Sequence, residues 1–171
     1  MTDNLEKAKK MFFDYSCSSY FMARDAADSQ YKAYGATKEL EAEWRKEYVD
    51  YWTFRLVLDD LEALNKLNHA WAVEALPDLQ RMCSQADGYA KLQYAEVIWQ
   101  LSKASTLEER IRQQARETAM GAWESLVQGN FTIPEHFQKN IKSMMAPINA
   151  TTPEQYVVDR AKKGLEAAKK T

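Results

Sequence analysis

Two histidines, His69 and His136, and two cysteines, Cys17 and Cys83, are the side chains best suited to metal binding or nucleophilic catalysis in this chain of 171 residues. A dedicated transition-metal site needs three or four converging ligands. No HExxH, CxxC or ExxH spacing occurs, and His69 and Glu74, five apart, fall on different sides of a helix. A cysteine nucleophile needs a base within hydrogen-bond reach and a third group to orient that base. Only the fold could bring His69 or His136 to Cys17 or Cys83. Glu39, Glu43 and Glu47 line up at i, i+4 and i+8, but general acid–base work wants two carboxylates in different environments. Lys46 and Asp50 share their sector, and Arg45 stands four residues beyond Glu41, which is the pattern of a solvated face with ion pairs.

Polar residues set into apolar faces are more informative, because each must find a partner when buried. Leu61, Leu64, Leu67, Trp71, Ala72 and Ala75 form one stripe, with Asn68 in its middle and Asn65 at its edge. Glu96 sits between Leu92 and Trp99 on another helix. Arg55 falls within the arc of Leu40, Trp44, Tyr48 and Tyr51. Buried contacts that fix helix register would explain these residues. The functional reading makes Arg55, Asn65, Asn68, Trp71, Glu96 and Trp99 the lining of a groove that grips a protein or peptide partner. Arg, Tyr and Trp are the residues that carry interface energy. The same aromatics could instead wall a pocket for a small apolar ligand, as in a helical sensor. An enzyme with a Cys- or His-based site is the remaining alternative.

Helices must position all of these groups. With five glycines and four prolines, and with Leu, Ala, Glu, Lys and Gln dominant, the chain lacks the turns of an all-β fold and reads as all-α. A first helix is expected from about Asn4 to Ala27. In MFFDYSCSSYFMARD, residues 11–25, the large side chains occupy a broad arc, with Asp14, Ser18 and Asp25 as a solvent stripe. That pattern makes it the central packing helix, with Cys17 brought near Arg24. Thr37 caps a second helix to about Leu58, and Asp59 with Glu62 starts a third to about Ala75. Pro77 opens or kinks the next, which Asp87-Gly88 ends. Further helices are expected over 89–103, from the Thr106–Glu109 capping box to Gly129, from Pro134 to before Pro147, and from Thr152-Pro153 with Gln155 onward. The expectation is a compact bundle of seven to eight helices in antiparallel hairpins, forming a single domain over 1–171. Aromatic-rich helices fill 1–70, hairpins 71–129, and C-terminal helices 130–171.

Within 71–129, AWAVEALPDLQRMCSQADGYAKLQYAEVIWQL is followed by ARETAMGAWESLVQGN. Small Ala90 and Ala95 flank Tyr94, Ala115, Ala119 and Ala122 precede Trp123, and Gln-Gly-Asn ends the unit at 128–130. This resembles the helical hairpins of tetratricopeptide-like repeats. The resemblance implies right-handed stacking of hairpins whose inner helices grip an extended partner segment.

Charge narrows the partner. The formal net charge is −2 with a pI near 5.8, and residues 37–76 carry net −4 against +3 for 130–171. No basic footprint for phosphate neutralisation is present, so nucleic acid is not expected. The charged amino terminus and the absence of a long apolar run point away from a secretory leader and from a membrane. Two isolated cysteines suit a reducing, cytoplasmic setting. No feature selects a cofactor. The expected function is that of a non-enzymatic interaction module.

Overall fold

The computed structural model describes residues 3–145 and 150–170, all of whose regular structure is helical. The chain divides into two compact units, one built from residues 1–56 and 62–75 and the other from 57–61 and 76–171.

The first unit contains α1 (Asp3–Asp14), α2 (Ser19–Arg24), α3 (Asp28–Ala33), α4 (Lys38–Phe54) and α5 (Glu62–His69), followed by a 3-10 turn, Val73–Ala75. Ala8 and Phe12 of α1, Met22 of α2, Ala27, Tyr31 of α3 and Trp44 of α4 meet in one core. Phe12 stacks on Tyr31 at 6.0 Å and leans on Trp44 at 6.2 Å between ring centroids. The single helix expected over 4–27 is broken. Ser16 and Cys17 adopt left-handed φ values of 52° and 55°. The Cys17 amide donates back to Phe12 O at 2.8 Å, closing the end of α1. Ser18 then caps α2 by accepting from the Phe21 amide. The apolar spacing runs through this corner because Phe12 and Met22 enter the same core from two helices rather than one. Small polar side chains that favour caps over helix interiors decide the break. This split, with α3 as an extra short helix, brings the seven to eight expected helices to ten among the described residues.

The second unit contains α6 (Leu76–Gln85), α7 (Gly88–Leu101), α8 (Glu109–Val127), α9 (Glu135–Met145) and α10 (Pro153–Ala168). α7 is apolar nearly all round and packs against α6, α8 and α10, burying Leu92, Tyr94, Ala95, Ile98 and Leu101 completely. Asp87 caps α7 rather than ending α6. Its Oδ1 accepts from the Gly88 amide at 2.8 Å, and its Oδ2 accepts from the Thr132 amide at 3.0 Å and hydroxyl at 3.1 Å. Burial works against the charge, yet these hydrogen bonds keep the Asp87 carboxyl below the ordinary range. The Thr106–Glu109 capping box does not form. α8 starts later, where Arg112 donates to the carbonyls of Leu107 at 3.1 Å and Ala104 at 3.4 Å. Thr152 caps α10 as expected, and Pro153 is its first residue. Gly129 follows the α8 C-cap with φ of 78°, as expected for a helix-ending glycine. The stop expected before Pro147 lies outside the described residues.

Candidate functional site

α4 positions most of the surface that can bind. Its buried stripe is Trp44, Tyr48 and Val49, and four of the last five residues before its C-cap Arg55 are Tyr51, Trp52, Thr53 and Phe54. Successive helical residues lie about 100° apart, so Tyr51, Trp52, Phe54 and Arg55 cannot all face one core. The core takes little of this run. Phe54 is 91% exposed and Tyr51 51% exposed. Trp52 is half-buried, its ring 5.0 Å from that of Tyr51 and 6.1 Å from that of Tyr48. Phe13 of α1 meets Tyr48 edge-on at 5.3 Å. The rings of Phe13, Tyr48, Tyr51 and Trp52, with Asp14, Glu47 and Lys66, enclose a groove of about 480 Å³.

The charges around this groove are sorted. Asp14 is held by Lys10 and Glu47 by Lys9, each at 2.5 Å. The two cations on the aromatic side are not held this way. The Arg55 guanidinium lies 5.3 Å from the Tyr51 ring and 5.9 Å from Trp52, and Lys66 Nζ lies 5.7 Å from Trp52. Among the described residues no ion pair engages either of them. The groove thus combines aromatic walls, ion-paired carboxylates and Lys66, with Arg55 against the rings of Tyr51 and Trp52.

The six residues singled out by sequence fall into both units. Arg55, Asn65, Asn68 and Trp71 belong to the first, Glu96 and Trp99 to the second. Arg55 borders the aromatic groove, and Asn65 is exposed on α5 next to Lys66. Asn68 is half-buried, and its carbonyl accepts from the Trp71 amide at 3.0 Å. Trp71 leaves the expected stripe because α5 ends at His69 and Trp71 turns left-handed, with φ of 50° and 45% exposure. Arg45 secures this turn. It donates to Ala70 O at 2.9 Å and Trp71 O at 3.2 Å, and engages both carboxylate oxygens of Glu74 at 3.0 and 3.2 Å. The sequence pattern had paired Arg45 with Glu41, which instead accepts from the Tyr31 hydroxyl at 2.8 Å.

Glu96 and Trp99 sit inside the second unit. Glu96 accepts from Arg160 Nε at 3.0 Å and Nη2 at 2.7 Å. Burial raises the Glu96 pKa and Arg160 opposes that rise. Trp99 is 8% exposed, 5.5 Å from Trp123 between centroids, with the Arg116 guanidinium 5.7 Å from its ring.

The catalytic candidates are arranged as follows. Burial pushes the Cys17 thiol up to about 12, against a lowering influence from Arg45 rather than Arg24, which pairs with Asp25 at 2.7 Å. Burial pushes Cys83 up to about 11. His69 is exposed beside Phe21 and His136 is exposed beside Phe137. Among the described residues, no three His, Cys, Asp or Glu side chains are grouped to hold a metal ion. None of the described helices is long and apolar enough to cross a membrane.

Sequence reasoning missed Tyr51, Trp52, Phe54 and Lys66. The signal was present in the crowding of large side chains over 51–55, which no single helix face can absorb.

No family model, no curated protein and no solved structure matches the chain.

Proposed function

We propose that this protein is an interaction module that binds a segment of another protein at the aromatic end of α4. The observation that carries this reading is the exposure of Tyr51, which walls a groove together with Phe13, Tyr48 and Trp52, and of Phe54 three residues further along α4. Large exposed apolar groups rimmed by polar ones mark interaction surfaces, and aromatic and Arg anchors dominate interface energetics. The sorted charges define the occupant. With Asp14 and Glu47 neutralised internally, and with Arg55 and Lys66 available, the fitting segment places an aromatic or branched apolar side chain in the groove. It sets a carboxylate beside Arg55 or Lys66. This moves the binding surface from the six residues expected by sequence to one end of α4, and it retains Arg55.

Selection of binders from a displayed library of random 12-residue peptides tests the proposal. Acidic sequences with an aromatic or branched apolar anchor should be enriched. Their affinity should fall at least about tenfold, or about 1.4 kcal/mol, in a Phe54→Ser/Arg55→Glu variant that keeps the native helix content. Both positions are exposed, so the fold should survive the change. No enrichment, or equal binding to the variant, would overturn the reading.

A further inference from the structure

A larger cavity, of about 750 Å³, lies at the other end of α4, among α1, α2, α3 and α4. It falls within the range of about 300–1,000 Å³ usual for small-molecule sites. Phe12, Met22 and Tyr31 supply apolar wall, and the polar lining is arranged asymmetrically. Both carboxylates are engaged: Asp28 accepts from Lys32 at 2.7 Å, and Glu41 accepts from the Tyr31 hydroxyl at 2.8 Å. The Arg45 guanidinium is committed to Glu74 and to the carbonyls of Ala70 and Trp71. Lys38, in the first turn of α4, pairs with no carboxylate among the described residues. Lys32 is matched by Asp28 and Arg45 by Glu74, so among the described residues Lys38 is the one lining cation that no ion pair engages.

Cys17 adds a second observation. Its left-handed φ of 55° is a conformation that glycine adopts freely and a side-chain-bearing residue adopts only at a cost. The chain nevertheless keeps a side chain there, and that side chain lines the cavity. Its thiol, with a pKa pushed up to about 12, adds uncharged surface at neutral pH.

We propose that this cavity is a binding site for a small apolar molecule carrying one carboxylate, with its body against Phe12, Met22 and Tyr31 and its carboxylate at Lys38. The site shares no lining residue with the aromatic groove and stands or falls independently of it.

Calorimetric titration of the full chain with decanoate, decanol and decylamine tests this. Decanoate should bind saturably, at least about tenfold more tightly than the alcohol or the amine. Lys38→Met should reduce decanoate to the level of decanol, and Lys38→Arg should restore it. Ala42→Leu, a change at an exposed lining position, should weaken all three ligands by crowding the cavity. A flotation arm separates a free acid from a lipid headgroup, because the protein should not rise with phosphatidylglycerol vesicles. Absence of saturable decanoate binding, equal affinity for decylamine, an unchanged Lys38→Met variant, or co-flotation would each overturn the proposal.

Discussion

The two units place their left-handed backbone on different kinds of residue. In the second, left-handed backbone is assigned to glycine, at Gly88 and Gly129. In the first it falls on Ser16, Cys17, Ala26 and Trp71, with Gly35 the one glycine among them. A side chain in that conformation costs about 1–2 kcal/mol. The second unit also packs backbone against ring. A Cβ at Gly164 would stand 2.6 Å from Trp123, and one at Gly88 would stand 2.1 Å from Thr132 O. The aromatic groove and the larger cavity both lie in the first unit. Left-handed side chains and these two open sites thus coincide in one unit, while two glycines of the other are pressed close against their neighbours. Sites that bind tend to be drawn from the less stable part of a structure.

Gly88→Ala should have the largest effect on that contrast. It adds left-handed strain to a backbone clash and should destabilise the second unit by about 3 kcal/mol or more. Amide hydrogen exchange along α7 would report the loss. Gly35→Ala is the control, since its φ is 73° but a Cβ there meets open space. If the two changes cost the same, close packing in the second unit contributes nothing.

Asp87→Asn comes next. Asparagine has one accepting oxygen, so while it caps α7 its amide nitrogen faces Thr132 and can accept from neither Thr132 donor, a loss of at least about 1 kcal/mol. The pH dependence has a definite sign. Because the folded-state pKa of Asp87 lies below its ordinary value of about 3.9, its stabilisation is complete above that value. It disappears as pH falls through the lower folded value. Urea titrations between pH 5 and 2 should show this slope in the native protein and a shallower one in the variant. Identical slopes would remove Asp87 from the account.

The smallest effect has the opposite direction. Ala26→Gly should stabilise the first unit by roughly 0.5–1 kcal/mol, the relief of left-handed strain less the added freedom of the unfolded chain. A neutral or destabilising result would show that the first unit carries no releasable strain at this corner.

What the sequence reveals differs between the units for the same physical reasons. Caps that depend on one residue and its immediate neighbours were readable, as at Thr37 and Thr152. The all-α class followed from composition. The break at Ser16–Cys17 was not readable from periodicity, since the apolar spacing is kept while the chain changes direction. Nor could local spacing show that Arg45 would reach across 29 residues to Glu74 rather than four to Glu41. On the binding surface, Arg55 was found by its place among aromatics. Phe54 and Tyr51 were hidden by the assumption that aromatics near a core stripe belong to it.

The assignment of residues 57–61 to the second unit has a consequence for synthesis. All the residues of the first unit have been made once residue 75 is added. At that moment the rest of the unit to which residues 57–61 belong has yet to be made. The Tyr94 hydroxyl that will donate to Val57 O at 3.2 Å has yet to be made. That hydrogen bond therefore forms only once Tyr94 of α7 has been made, 37 residues after Val57.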